Sequence, residues 1–167
     1  RTIAVAGDGE SRVRLWDVAT RAERMALSGH EGTVRTLAFN RDGNMLATAG
    51  DDSLIRIWNT DSGAPLRVLK GQTDRIERVA FSDGKTRVSV AFSSTFIVWD
   101  IERSTHRAIL RGHTGAVRTV AVTRDGSMLA TGADDRTILL WDLATHTQLA
   151  RLEAPRGGGR TPSLSPG

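Results

Sequence analysis

The chain contains no cysteine, which removes disulfides, thiolate metal ligands and cysteine nucleophiles together and fits a reducing compartment. Lysine is scarce as well: Lys70 and Lys85 are the only two, so the net charge of +4 rests on arginine. Those arginines are scattered through the whole length, with no basic block. No run of about 18 apolar residues could span a bilayer as a helix, and no basic-then-apolar leader opens the chain. A cytoplasmic protein with no membrane partner is the expectation.

What the chain does have is repetition. Trp16, Trp58, Trp99 and Trp141 stand 42, 41 and 42 residues apart, and each closes a short apolar run. Self-similarity at a period of roughly 40–45 residues, holding several strands, is the signature of a propeller blade. Residues 30–59 align with 113–142 without a gap, with identities that include Val34/Val117, Arg35/Arg118, Thr36/Thr119 and Met45-Leu46-Ala47-Thr48 against Met128-Leu129-Ala130-Thr131. The unit between them is one residue shorter. Its turn reads Ser82-Asp83-Gly84, where the neighbours read Asn40-Arg41-Asp42-Gly43 and Thr123-Arg124-Asp125-Gly126.

Within a unit, β-rich runs at 33–39, 45–49, 54–58 and 66–69 are separated by Asp-Gly, Asp-Asp and Asp-Ser-Gly turn signals, which predicts a four-stranded antiparallel sheet. One and three residues before each tryptophan the chain is apolar: Leu15 and Val13, Ile57 and Ile55, Val98 and Phe96, Leu140 and Ile138. That period of two predicts a buried face in all four copies. Arg12, Arg14, Arg35, Arg56, Arg67 and Arg118 alternate with apolar residues, as on a strand whose other face is solvated. A sheet that is apolar on both faces cannot bury itself, so such units stack side by side about an axis.

The expected architecture is all-β: a partial first blade at 1–29, full blades at 30–70, 71–111 and 112–153, and a flexible Gly/Pro/Ser tail at 154–167. The first unit aligns only from the second strand onward, so the ring is incomplete. Further blades upstream in the same chain, or self-association of two copies, would complete it.

Gly29-His30 and Gly112-His113 at the start of units, with Trp16-Asp17, Trp99-Asp100 and Trp141-Asp142 at the end of third strands, give the chain a close resemblance to the WD40-repeat β-propeller family. It extends from residue 2 to about 153. The resemblance implies a buried hydrogen-bonded tetrad in each of two blades: His30, Thr48, Asp52 and Trp58, then His113, Thr131, Asp135 and Trp141. Gln72 and Ser93 stand at the histidine and aspartate positions of the middle unit, and Ala6 and Glu10 at the hydroxyl and acid positions of the first. Those two blades are expected to be looser.

The resemblance further implies a non-catalytic protein–protein interaction scaffold or sensor, part of a larger propeller. It is similar to bacterial arrays joined to signalling NTPases or kinases. The face that such propellers use for docking gathers Glu31, Thr33, Arg35, Asp51, Asp74, Arg75, Thr114, Arg118 and Asp134 here. No catalytic, metal-binding or cofactor-binding residue is expected. The histidines and paired aspartates of the tetrad units already have structural roles, and His106 and His146 lack a partner at ligand spacing. Gly7-Asp8-Gly9 lacks the strand-to-helix context and Gly-Lys-Ser/Thr ending of a phosphate loop. An enzyme would need converging groups in the central channel, where the inner strands supply only Arg35, Arg78, Arg118 and Glu77. Nucleic-acid binding through the surface arginines is the alternative, weakened by the lack of a basic stripe.

Overall fold

The computed structural model describes residues 1–82, 87–92 and 94–153, and of 87–92 the backbone alone. The tail expected at 154–167, the Asp83-Gly84 part of the middle turn and Ser93 lie outside the described residues. The rest is strands, with no helix among the described residues. Strands β1 (Thr2–Ala6), β2 (Val13–Asp17) and β3 (Ala22–Leu27) form a three-stranded sheet. Strands β4 (Val34–Phe39), β5 (Met45–Gly50), β6 (Ile55–Asn59) and β7 (Pro65–Leu69) form a four-stranded one. So do β8 (Arg78–Phe81), β9 (Arg87–Phe92), β10 (Thr95–Asp100) and β11 (Thr105–Arg111), and likewise β12 (Val117–Val122), β13 (Met128–Ala133), β14 (Thr137–Asp142) and β15 (Thr147–Glu153). Every sheet is an antiparallel meander in chain order, and together they form an open array of propeller blades.

The residue after each tryptophan builds the next turn. Asp17 Oδ1 accepts the N–H groups of Ala19 and Thr20, Asn59 those of Asp61 and Ser62, and Asp142 those of Ala144 and Thr145. Asp100 accepts the Arg103 N–H and both the Arg103 and Arg107 guanidiniums, which hold its carboxyl down to about 2 against the opposing effect of burial. Five residues after each tryptophan the backbone is left-handed, at Arg21, Gly63, Ser104 and His146 with φ of 57°, 72°, 54° and 59°. Only one of the four is glycine, so the side-chain acceptor, rather than glycine's freedom, sets this turn. The pairing of third and fourth strands slips by one residue just before the tryptophan in all four sheets, a bulge that re-aims the ring.

The sheets stack in chain order through three apolar clusters. Trp58 packs with Val13, Leu15 and Leu27 of the first sheet. Trp99 packs with Ile55, Ile57 and Leu69 of the second, and Trp141 with Phe96, Val98 and Leu110 of the third. Trp58, Trp99 and Trp141 therefore each face the sheet before them, and the residues one and three places before Trp16, Trp58 and Trp99 face the sheet after. In three copies those residues are fully buried, as the period of two requires. Ile138 and Leu140 are only half-buried, because among the described residues no sheet follows the fourth. Arg56 also departs from expectation: it lies on the Trp58 side of β6, half-buried with its Nε out of solvent, rather than on a solvated face.

Trp58 and Trp141 are each 3% exposed, whereas Trp16 is 36% exposed. Truncating Trp58 or Trp141 to alanine is expected to cost about 3–5 kcal/mol, as for other buried aromatics, and truncating Trp16 distinctly less. Chemical denaturation of the three variants reads the difference; equal losses would contradict this packing.

Candidate functional site

The second and fourth sheets each carry a buried relay that runs from the loop before the inner strand to the tryptophan strand. In the second, His30 Nδ1 lies 2.8 Å from Asp52 Oδ2, His30 Nε2 lies 2.7 Å from Thr48 Oγ1, and Trp58 Nε1 donates to that oxygen at 2.8 Å. In the fourth, the matching distances are 3.0, 2.8 and 2.9 Å through His113, Asp135, Thr131 and Trp141. Thr137 adds a hydroxyl that donates to Asp135 Oδ1 at 2.7 Å.

In the second sheet the chemistry of the relay is that of a neutral imidazole. Burial pushes the His30 pKa below its ordinary 6.5 and outweighs the Asp52 carboxylate beside it. With a proton on Nδ1 donated to Asp52, Nε2 accepts from the Thr48 hydroxyl, whose oxygen still accepts the indole N–H. Each carboxylate also reaches the backbone: Asp52 Oδ2 accepts the Glu31 N–H and Asp135 Oδ2 the Thr114 N–H. For Asp135, burial works upward, but hydrogen bonds from Thr137, the Thr114 N–H and His113 prevail and hold the carboxyl well below its usual range.

The other two sheets lack the relay. In the second and fourth, the hydroxyl stands opposite the residue two before the tryptophan: Thr48 opposite Arg56, and Thr131 opposite Leu139. In the first sheet that register position belongs to Val5, opposite Arg14, and not to Ala6. The connection from β1 to β2 is one residue longer, which shifts the count from Trp16. In the third sheet the position opposite Ile97 is Val90, again without a hydroxyl. The Trp99 indole nitrogen and both amide atoms of Gln72 are accordingly buried with no partner among the described residues.

The relays hold the loops at one end of the sheets, and the nine residues expected to form a docking face lie there. All are exposed except the half-buried Thr33. Arg35 Nε donates to Asp51 Oδ1 in a short contact and Nη2 reaches Oδ2 at 3.3 Å; in the fourth sheet Arg118 Nε and Nη2 both donate to Asp134 Oδ2, at 2.9 and 2.7 Å. In the third, Asp74 caps the Arg75 N–H and Arg75 Nε donates to Glu77 at 2.7 Å. Backbone bonds stitch neighbouring sheets at this end, from Val34 N–H to the Glu10 carbonyl and from Ile76 N–H to that of Gly50. Glu77 was not among the nine, yet its carboxylate acts on the guanidiniums of both Arg35 and Arg118, as that of Asp8 acts on Arg35. Aligning Val34, Ile76 and Val117 places Glu77 at the position of those two arginines. Among the described residues no group of His, Asp or Glu is placed to hold a metal ion, and no helix is long and apolar enough to cross a membrane.

Known proteins share this pattern. The profile of the family described as WD domain, G-beta repeat matches residues 22–59 and 104–142. Each match runs from an outer strand of one sheet through the third strand of the next, and each contains one complete relay. The chain is 34% identical over 117 residues to Protein tipD of Dictyostelium discoideum, a match covering 70% of this chain and 19% of that protein. It is 34% identical over 119 residues to Autophagy-related protein 16 of Arabidopsis thaliana, covering 70% and 23%. It is 30% identical over 154 residues to Guanine nucleotide-binding protein subunit beta of Solanum tuberosum, covering 85% and 41%. The chain thus spans less than half the length of these curated relatives.

Replacing Thr48 or Thr131 with valine leaves a buried imidazole nitrogen and indole N–H without partners, at about 1–3 kcal/mol for each group. Urea denaturation is expected to show a comparable loss at both sites, and unchanged midpoints would contradict the relay. The pH dependence has a defined sign. The folded pKa of His30 lies below 6.5, so its contribution is intact above that value and lost as pH falls below 6.5 and through the lowered folded pKa. Asp135 adds a second loss as pH falls below 3.8. His30→Gln is expected to weaken the upper phase of the urea midpoint against pH; a parent midpoint that is flat between about pH 7 and 5 would contradict a neutral His30.

Proposed function

The chain belongs to the WD40-repeat family, and from that premise we propose that it is a non-catalytic module for protein–protein interaction, docking partners on the face held by the two relays. The observation that carries this reading is the repeated, exposed ion pair, Arg35 with Asp51 and Arg118 with Asp134, flanking Glu77 on rigidly anchored loops. Loops fixed by a scaffold are where proteins place recognition, and a face of alternating sign selects partners by charge register rather than by bulk attraction. Glu31, Thr33, Asp74, Arg75 and Thr114 complete the surface. The module works as a scaffold or sensor within a longer cytoplasmic protein of several domains, of the kind found in bacterial signalling.

The nucleic-acid alternative is disfavoured by the same geometry. Arg35, Arg75 and Arg118 each hold a carboxylate, so a phosphate would have to displace a partner already in place.

The test is affinity capture with crosslinking, comparing the parent with the double variant Arg35→Glu/Arg118→Glu and with Arg41→Glu/Arg124→Glu, whose residues lie in the turns at the opposite end of the sheets. Partners should be lost with the first pair and kept with the second; equal recovery would refute the assigned face. Salt-sensitive binding of labelled DNA or RNA by the parent, abolished with the first pair, would establish the alternative instead.

A further inference from the structure

At the end of the sheets away from the charged loops, the neighbouring inner strands β4, β8 and β12 finish on Phe39, Phe81 and Val122. These three half-buried side chains line a cavity of about 480 Å³, and its rim includes Arg41, Arg124, Ser82 and Asp125. The two arginines hold matching places in the turns Asn40-Arg41-Asp42-Gly43 and Thr123-Arg124-Asp125-Gly126. The turn between them, Ser82-Asp83-Gly84, lacks that residue.

Arg41 and Arg124 are exposed, and neither is joined to a carboxylate among the described residues. At the other end of the sheets Arg35, Arg75 and Arg118 each hold one. Asp125, the carboxylate of the rim, is turned to its own chain, where it accepts the Ser127 N–H at 3.0 Å and the Ser127 hydroxyl at 2.9 Å. Ser82 is 1% exposed, and its Oγ has no partner among the described residues. Asn40 and Thr123, at the same position in their turns, use their side-chain oxygens to accept the Met45 and Met128 N–H groups. The Ser82 hydroxyl is therefore left over to turn toward an acceptor in the cavity.

We propose that this recess binds a small organic oxyanion, its carboxylate or phosphate held by Arg41 and Arg124 and its aromatic or branched body laid on Phe39, Phe81 and Val122. A guanidinium matches either head group with paired N–H donors of fixed geometry. Two cations against one engaged carboxylate leave the rim positive, which selects against amines. The volume is that of a small-molecule site, and an apolar lining with a few polar groups is what such sites share. A bare inorganic anion would leave the three apolar side chains uncovered and rest on exposed charges alone, which contribute little in water. A nucleic-acid strand would need a longer run of cations than two turns supply. The recess and the face assigned to protein partners lie at opposite ends of the sheets, so the two proposals stand or fall separately.

Nuclear magnetic resonance titration of the isotope-labelled 167-residue chain with phenyl phosphate, phenylacetate, inorganic phosphate and benzylamine tests this. At least one of the two aromatic anions is expected to move the Phe39, Ser82 and Val122 amide signals saturably, and the tighter of them identifies the head group. Inorganic phosphate should bind about tenfold more weakly, for want of the apolar body, and benzylamine should leave the signals in place. Arg41→Gln and Arg124→Gln should each weaken binding about tenfold, as the loss of a charge-assisted contact requires. Arg35→Gln, at the other end, should bind like the parent. Unchanged urea midpoints establish that the variants are folded. Failure of both aromatic anions to saturate, an equal response to benzylamine, or undiminished affinity in the folded double variant Arg41→Gln/Arg124→Gln would each overturn the proposal.

Discussion

Trp58 and Trp141 are each held from two sides. The ring fills the space against the preceding sheet, and its N–H is tied through a threonine hydroxyl and an imidazole to the loop of its own sheet. The ring makes one sheet depend on its neighbour, since neither apolar face can be buried without the other. The hydrogen bonds convert that packing into a fixed loop conformation. The stacking order rests on the rings, and the loop ends of the second and fourth sheets on the hydrogen bonds.

The third sheet shows what the ring achieves alone. Trp99 packs as deeply as its counterparts, at 2% exposure, yet its N–H and the Gln72 amide find no partners among the described residues. Apolar packing suffices to seat a sheet between two neighbours, but not to complete the polar bookkeeping at its loop end. There the chain relies on Arg75 and Glu77, an exposed pair of modest strength, which makes the centre of the charged face its most adaptable part.

Most of the repeat was legible in sequence because it is periodic. The 42-residue spacing, the apolar positions before each tryptophan and the Asp-containing turns all obey local rules that do not depend on neighbours. What was not legible depended on counting through loops or on what lies beyond a face. Counting back from Trp16 selects Ala6 as the hydroxyl equivalent, but a loop longer by one residue puts Val5 there. Ile138 and Leu140 have the same pattern as Ile55 and Ile57, and only the absence of a following sheet among the described residues leaves them half-buried. Arg56 alternates like a solvated residue yet lies against the preceding sheet. Glu77 escapes a search for repeated residues because it reverses the charge that Arg35 and Arg118 repeat.

The most direct measurement is hydrogen exchange, resolved by residue, at the loops before the inner strands. If the relays fix the charged loop end, the Glu31 and Thr114 amides, which donate to the relay carboxylates, exchange slowly, while the Thr73 amide beside Gln72 exchanges near the rate of an open loop. Equal protection at all three positions would contradict the dependence of that end on the hydroxyl–imidazole–carboxylate chain.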